Sequence, residues 1–314
     1  MVPRPSLLRR AEIRRRLQQP KDRLGRRWWV PVVVLGGSLV HAASGWSIVS
    51  RIGPDQRPAL LDSIIYEYIG WYLSEGARLY VDIWEVKPPL VYELTGVVAV
   101  MTGDRMVLYH WLLVVLTMGI SVLAAVVIGQ LTLRLTDNPT SAAIAGLAPF
   151  TYPMFGWRPA VGFKPKYFVI LFGLLTVYAA LTDRPTFSGA FGAASMGTWQ
   201  LSVVFPAVAV GMLYRRRSPR RLGRFVVGFA LLTLIMFLPI VLWGSMSEMV
   251  VETILIPLIA GRGTPLSDRL DLAMGMLGIP SVILIVGIIG ILRLVREDPG
   301  ERWWLGVVAG WLLF

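Results

Sequence analysis

The sequence predicts an all-α fold: a polytopic transmembrane helix bundle of about 8–9 spans, with amphipathic interfacial helices in the first outer loop. Three observations predict it. Hydrophobic residues make up 55% of the 314-residue chain and charged ones only 16%, with a mean hydropathy of +0.63. Apolar runs near the length that a bilayer core demands recur from residue 28 onward. The net charge of +12 is gathered: ten Lys and Arg fall in residues 1–27, and six more in "RRRSPRRLGR", 215–224. Both clusters abut apolar runs, the arrangement of cytoplasmic ends beside anionic membrane lipid, so the charge speaks for topology and not for nucleic acid.

Residues 1–27 read as a basic cytoplasmic N-terminus, too long in its basic stretch for a cleavable leader and followed by no small-residue cleavage site. Residues 28–314 read as one transmembrane domain. Its first span, 28–50, opens on the Trp28–Trp29 pair, suited to the interface. Starting inside, it delivers 51–105 to the outer face, and that segment holds eight of the chain's 19 acidic residues. Within it Leu61, Ile64, Ile65, Tyr68, Ile69 and Tyr72 recur with helical period, while Asp62, Ser63, Tyr66, Glu67 and Gly70 lie off that stripe. This predicts a helix lying in the interface, apolar face toward lipid.

Residues 89–103 predict a second helix, either interfacial or a short, thinned span. Fifteen residues reach about 22 Å, short of a hydrocarbon core of about 30 Å. Placed on the surface, it leaves spans at 106–133, 140–157 and 167–181, a short pair at 187–198 and 199–213, then 225–243 and 272–292. The basic loop 214–224 then falls inside, whereas letting 89–103 cross would move that loop outside, against the distribution of positive charge. The surface placement is therefore the expectation. The run "WWLGVVAGWLLF" at 303–314 has twelve residues, too few to cross, which predicts either a last span cut short or the start of a further segment.

Several chemistries are excluded or disfavoured. With no cysteine there is no disulfide, thiolate metal site or cysteine nucleophile. The two histidines, His41 and His110, lie at or inside spans, which excludes a His-rich metal site. No phosphate-binding glycine loop and no Asp-x-Asp pair occurs. Gly189, Gly192 and Gly197 interrupt an apolar run, where close helix packing explains them better than phosphate binding.

Chemistry is concentrated in "YVDIWEVKPPLVYELTG", 80–96, where Asp82, Glu85, Lys87 and Glu93 crowd beside Pro88 and Pro89. Lysine occurs only at 21, 87, 164 and 166, so three of four lysines fall on the predicted outer face, accompanied by Arg158. Each alone could be a snorkelling span end. As a set, Lys87, Arg158, Lys164 and Lys166 suit a lipid phosphate held beside low-dielectric material. Asp62 opens the amphipathic helix, where capping explains a carboxylate and where the same group could serve as a general base toward a hydroxyl. Asp82, Glu85 and Glu93 could assist, bind a divalent metal, or balance Lys87.

The stretch "DSIIYEYIGWYLSEGARLYVDIWEVKPPL", 62–90, resembles the first outer loop of GT-C-type membrane glycosyltransferases, and most of all the archaeal dolichyl-phosphate-mannose mannosyltransferases. The motif-level match covers about 62–96. The resemblance implies transfer of a hexose, mannose above all, from a dolichyl phosphate carrier to a lipid-linked or protein-linked glycan acceptor, with inversion. It implies an integral protein of the plasma membrane with its site on the outer face. It makes Asp62 the catalytic base and Lys87 the carrier-phosphate ligand, and leaves a metal requirement open. Many relatives carry a second acid after the first, where this chain has Ser63, so a second acidic role would pass to Asp82 or Glu85. The proline pair fits this picture: it forces the backbone out of helix before Pro88 and starts a new helix after it, aiming Glu85 and Lys87 at a headgroup. A transporter of lipid-linked sugars is the alternative, and would need no carboxylate at Asp62. A non-catalytic subunit that binds a partner through 51–105 is a third.

Overall fold

The computed structural model describes residues 27–57, 61–260, 267–268 and 281–311. The helices are α1 (Trp29–Ile52), α2 (Leu61–Ser74), α3 (Leu90–Thr102), α4 (Met106–Thr136), α5 (Pro139–Leu147), α6 (Pro165–Leu181), α7 (Pro185–Thr198), α8 (Val204–Arg215) and α9 (Pro219–Trp243). Met246–Val250, a π turn at Val251–Leu255 and Ile256–Ala260 run on without a break as α10, and α11 (Ser281–Glu297) and α12 (Pro299–Trp311) follow. No strand occurs among the described residues; extended pairing is limited to an isolated Leu79–Ile83 bridge. The all-α helical expectation therefore holds. The basic N-terminus, 1–26, and most of 261–280 lie outside the described residues.

By length and composition, α1, α4 and α10's predecessor α9 can cross a membrane. The others are shorter, and α3 at 13 residues rises about 20 Å, too little to cross unaided. The stretch 140–157 departs from the expected span. It is helical only to Leu147, then breaks into a 3-10 turn at Ala148–Thr151, a short helix at Pro153–Gly156 and a second 3-10 turn at Arg158–Ala160. Pro149, Pro153 and Pro159 each sit in the first turn of a piece, where the missing N–H does least harm, and each stops the helix before it. The freed Gly156 carbonyl is met from α1, by His41 Nδ1 at 3.0 Å and Ser44 Oγ at 3.3 Å, so the break is satisfied inside the protein and not in lipid.

Helices α6, α7, α8 and α9 form one packed group; α1 and α5 lie against α4, and α2 and α3 pair beside it. The glycines of α7 do serve packing. A Cβ at Gly189 would collide with the Phe225 carbonyl of α9, and one at Gly228 with the Thr186 carbonyl of α7, so only glycine permits this backbone approach. Gly192 and Gly197 lie against side chains instead, those of Pro206 and Met236. A buried cluster joins Tyr66 and Ile69 of α2, Tyr80, Tyr92 of α3, Tyr109 of α4, Phe163 and Met249 of α10. That shared core fixes the segments that carry the charged residues.

Candidate functional site

Helix α2 turns its polar side inward. Ser63, Tyr66, Glu67 and Gly70 are buried, while Ile64, Ile65, Tyr68 and Tyr72 are exposed, the side expected to meet lipid; Ile69, expected on that same stripe, is instead buried in the core it shares with Tyr66 and Tyr92. Glu67 is only 4% exposed and its carboxylate meets His110 Nδ1 of α4 at 2.9 and 3.0 Å. The neighbouring Tyr109 hydroxyl donates to the Glu67 carbonyl at 3.0 Å. Gly70 lies where any side chain would strike Thr95 and Tyr109, and Gly162 where one would strike Ser63. Helix α2 is thus pinned from below, which fixes the direction of Asp62 one turn earlier.

Asp62 itself is exposed and accepts from Lys164 Nζ at 2.8 Å. Lys164 is buried, with 10% of its side chain exposed against 68% for Asp62. It precedes Pro165, the first residue of α6, and Lys166 follows in the first turn. The Lys164 ammonium, through its hydrogen bond first and its charge second, holds the Asp62 carboxyl below the usual carboxylate range; Lys166 and Lys87 act in the same direction. Lys166 in turn feels Lys164, Asp62, Lys87 and Arg158, and stacks its ammonium 5.3 Å from the Trp199 ring. The Asp62 carboxylate is therefore bonded to Lys164 and feels the charges of Lys166 and Lys87, while Arg158 acts on Lys166.

Lys87 reaches this group from the proline-pair loop. Its Nζ lies 5.1 Å from the Tyr66 ring centroid, and Tyr66 stacks on Tyr92 at 5.9 Å and meets Phe163 edge-on. The loop backbone cannot use regular pairing, since Pro88 and Pro89 offer no N–H. Side chains supply the partners instead. The Glu85 N–H donates to Glu252 Oε2 of α10 at 2.8 Å, and the Val86 N–H to Glu85 Oε1 at 2.8 Å. The Val86 carbonyl accepts from Gln200 Nε2 at 2.9 Å, and the Lys87 carbonyl from the Tyr80 hydroxyl at 2.6 Å. Tyr80 holds φ at 62°, a left-handed conformation that costs a bulky residue about 1–3 kcal/mol and persists only where its surroundings over-determine it. Its 1% exposure and its bond to Lys87 are that determination.

Of the residues singled out in the sequence, Asp62, Lys87, Lys164, Lys166 and Arg158 come together. Glu85 is buried in the loop's own hydrogen bonding, beside Glu252. Asp82 faces elsewhere: it is exposed and doubly bonded to Arg78, with Nε–Oδ2 at 3.0 Å and Nη2–Oδ1 at 3.1 Å. Among the described residues no three carboxylates or histidines gather as ligands for a metal ion. Gln200, Glu67 with His110, and Tyr80 were not singled out. Gln200 had a signal: it is the one amide side chain in the apolar stretch 185–213.

Comparison with known proteins bears on the family and not on individual residues. A family model described as DolP-mannose mannosyltransferase matches residues 76–238, which takes in Lys87, Arg158, Lys164, Lys166 and Gln200. A dolichol phosphate-mannose mannosyltransferase of Haloferax volcanii is 36% identical over 253 residues, 81% of this chain. The chain spans about half the length of that curated relative, the match covering 55% of it. No solved structure matches the chain.

Proposed function

Because the chain belongs to the DolP-mannose mannosyltransferase family, we propose that it moves mannose from dolichyl phosphate to a hydroxyl of a lipid-linked or protein-linked glycan. The observation that carries this reading is the convergence of Asp62 with Lys164 at 2.8 Å, with Lys87 and Lys166 in electrostatic range. In an unliganded site the base is covered by a cation. An incoming carrier phosphate competes for Lys164 and gathers Lys87 and Lys166 as well, which releases the Asp62 oxygen toward the acceptor. Asp62 then takes the acceptor hydroxyl proton as that oxygen bonds to the anomeric carbon. The bond from that carbon to the phosphate oxygen breaks, and the electron pair leaves with the phosphate, whose charge the lysines stabilise. A single displacement of this kind inverts the anomeric centre.

The same reading places the protein in the plasma membrane with about 8–9 spans, the N-terminus inside and this site on the outer face. The exposed apolar stripe of α2 supports a site at the lipid boundary, where a dolichyl chain can stay in the bilayer while its headgroup reaches the lysines.

The test is transfer of radiolabelled mannose from dolichyl phosphate to a glycan extract by full-length protein in membranes, wild type against Asp62→Asn. Asn keeps an acceptor for Lys164 but takes no proton. Transfer by the wild type that is lost in an equally abundant, folded variant supports the reading. Equal transfer by both removes Asp62 from the chemistry.

A further inference from the structure

The loop that carries Lys87 is held by two side chains distant from it in sequence, and their geometry assigns them a role. We propose that Gln200 and Glu252 are positioning residues for the transfer reaction: together they clamp the Glu85–Val86–Lys87 backbone and so set where Lys87 meets the carrier phosphate. The inference rests on the mannosyltransferase reading above for its catalytic consequence, and on geometry alone for the clamp.

Gln200 lies in the 3-10 turn Gln200–Val203 between α7 and α8. Its Nε2 donates to two carbonyls at once, Val86 at 2.9 Å and Thr253 at 3.2 Å. It thereby ties the lysine loop to α10 and ties both to the bundle. Glu252 completes the tie from the other side, taking the Glu85 N–H at 2.8 Å. Glu252 stands on the π turn Val251–Leu255, the widened turn that changes the angle at which its side chain leaves α10. Glu252 is 7% exposed, and burial pushes its carboxyl up while the Glu85 N–H draws it down, so its hydrogen bond is made where water competes little. Neither residue touches the lysine ammonium. Both act on the backbone shortly before Pro88, on the Glu85 N–H and the Val86 carbonyl. Trp199, next to Gln200, carries the Lys166 ammonium, so one turn sets two of the three lysines.

The experiment compares full-length wild type, Gln200→Ala, Glu252→Ala and Glu252→Gln in liposomes, with two readouts. The first is the rate of acylation of each lysine by an amine-reactive reagent, read by mass spectrometry. In Gln200→Ala and Glu252→Ala, Lys87 is expected to react about threefold faster or more, the response of a loop whose local opening has become easier, with Lys21, far from the site in sequence, as internal reference. Glu252→Gln keeps an acceptor for the Glu85 N–H and is expected to keep the wild-type rate. An unchanged Lys87 rate in both alanine variants overturns the clamp. The second readout is a double-mutant cycle on mannosyl transfer. Gln200→Ala is expected to lower kcat about tenfold or more with a smaller change in KM, as displacement of a charge-stabilising group does. In a Lys87→Ala background the same substitution is expected to cost less than about twofold. An equal loss in both backgrounds overturns the positioning role. A wild type that transfers no mannose, while the alanine variants still accelerate Lys87 acylation, sinks the mannosyltransferase reading and leaves the clamp standing.

Discussion

The two ends of α6 carry opposite solutions to the same problem. At its C-terminal end Asp183 meets Arg221 at 2.9 Å and Arg216 at 3.7 Å, all substantially exposed. There Arg134 and Arg216 also donate to the Leu181 and Ala180 carbonyls, so cations sit where a helix dipole favours them. About 25 Å away, at the N-terminal end, Lys164 and Lys166 stand where the dipole disfavours cations. Lys164 is buried besides, and a single exposed carboxylate, Asp62, answers for it. The difference teaches that the arginine end is stable as it stands, whereas the lysine end is short of negative charge. A phosphate supplies that charge, which is the physical sense of the proposed carrier site.

Substitutions break or sharpen this contrast in a graded order. The largest expected effect is on turnover: Asp62→Asn should lower mannosyl transfer by about 10²–10⁴-fold, the usual contribution of a positioned base, while leaving the amount of folded protein unchanged. Next comes the support beneath the site. His110→Ala leaves the buried Glu67 side chain without its hydrogen-bond partner and should cost about 1–3 kcal/mol of stability, read as a lower midpoint of thermal unfolding in detergent. His110→Gln, which can still donate to Glu67, should recover part of it. If His110→Ala unfolds like wild type, the pinning of α2 is not what holds Asp62 in place.

A pH profile separates the two ends more finely. Because Lys164 depresses the Asp62 carboxyl, the pair is intact at neutral pH and is lost only as pH falls below the ordinary carboxylate range, through the depressed value. Lys164→Met removes the largest cause, so the acid limb of kcat/KM assigned to Asp62 should move upward in pH; a limb that stays put would detach Lys164 from the base. The smallest effect belongs to the arginine end. Asp183→Asn breaks an exposed pair and should change stability by no more than about 1 kcal/mol, with mannosyl transfer unaltered.

Much of this site was legible in the chain because its parts violate the composition around them. Lysines on the predicted outer face, a double proline beside charge, and a carboxylate opening an amphipathic helix each stand out in a chain that is 55% hydrophobic. Their local physics is short-range: the stripe Ile64–Ile65–Tyr68–Tyr72 fixes which side of α2 is left exposed, and Pro88 with Pro89 fixes where α3 starts. The break inside 140–157 was written in Pro149, Pro153 and Pro159, yet an apolar run of that length also reads as a span. What favoured the break is His41 and Ser44, more than a hundred residues away, closing on the Gly156 carbonyl.

The sequence alone determined the all-helical membrane class, the clustering of positive charge, and the residue types of the candidate site, since these follow from composition and from periods of three to four residues. It also carried Asp82 and Glu85 as equals beside Lys87. Only the tertiary structure separated them, sending Asp82 to Arg78 on the surface and Glu85 into the clamp with Glu252. It alone brought Lys164 onto Asp62 across 102 positions, and Gln200 onto Val86 across 114. Such pairings depend on which helices share a core, here Tyr66, Tyr80, Tyr92 and Phe163 closing over one another, and no local pattern specifies that.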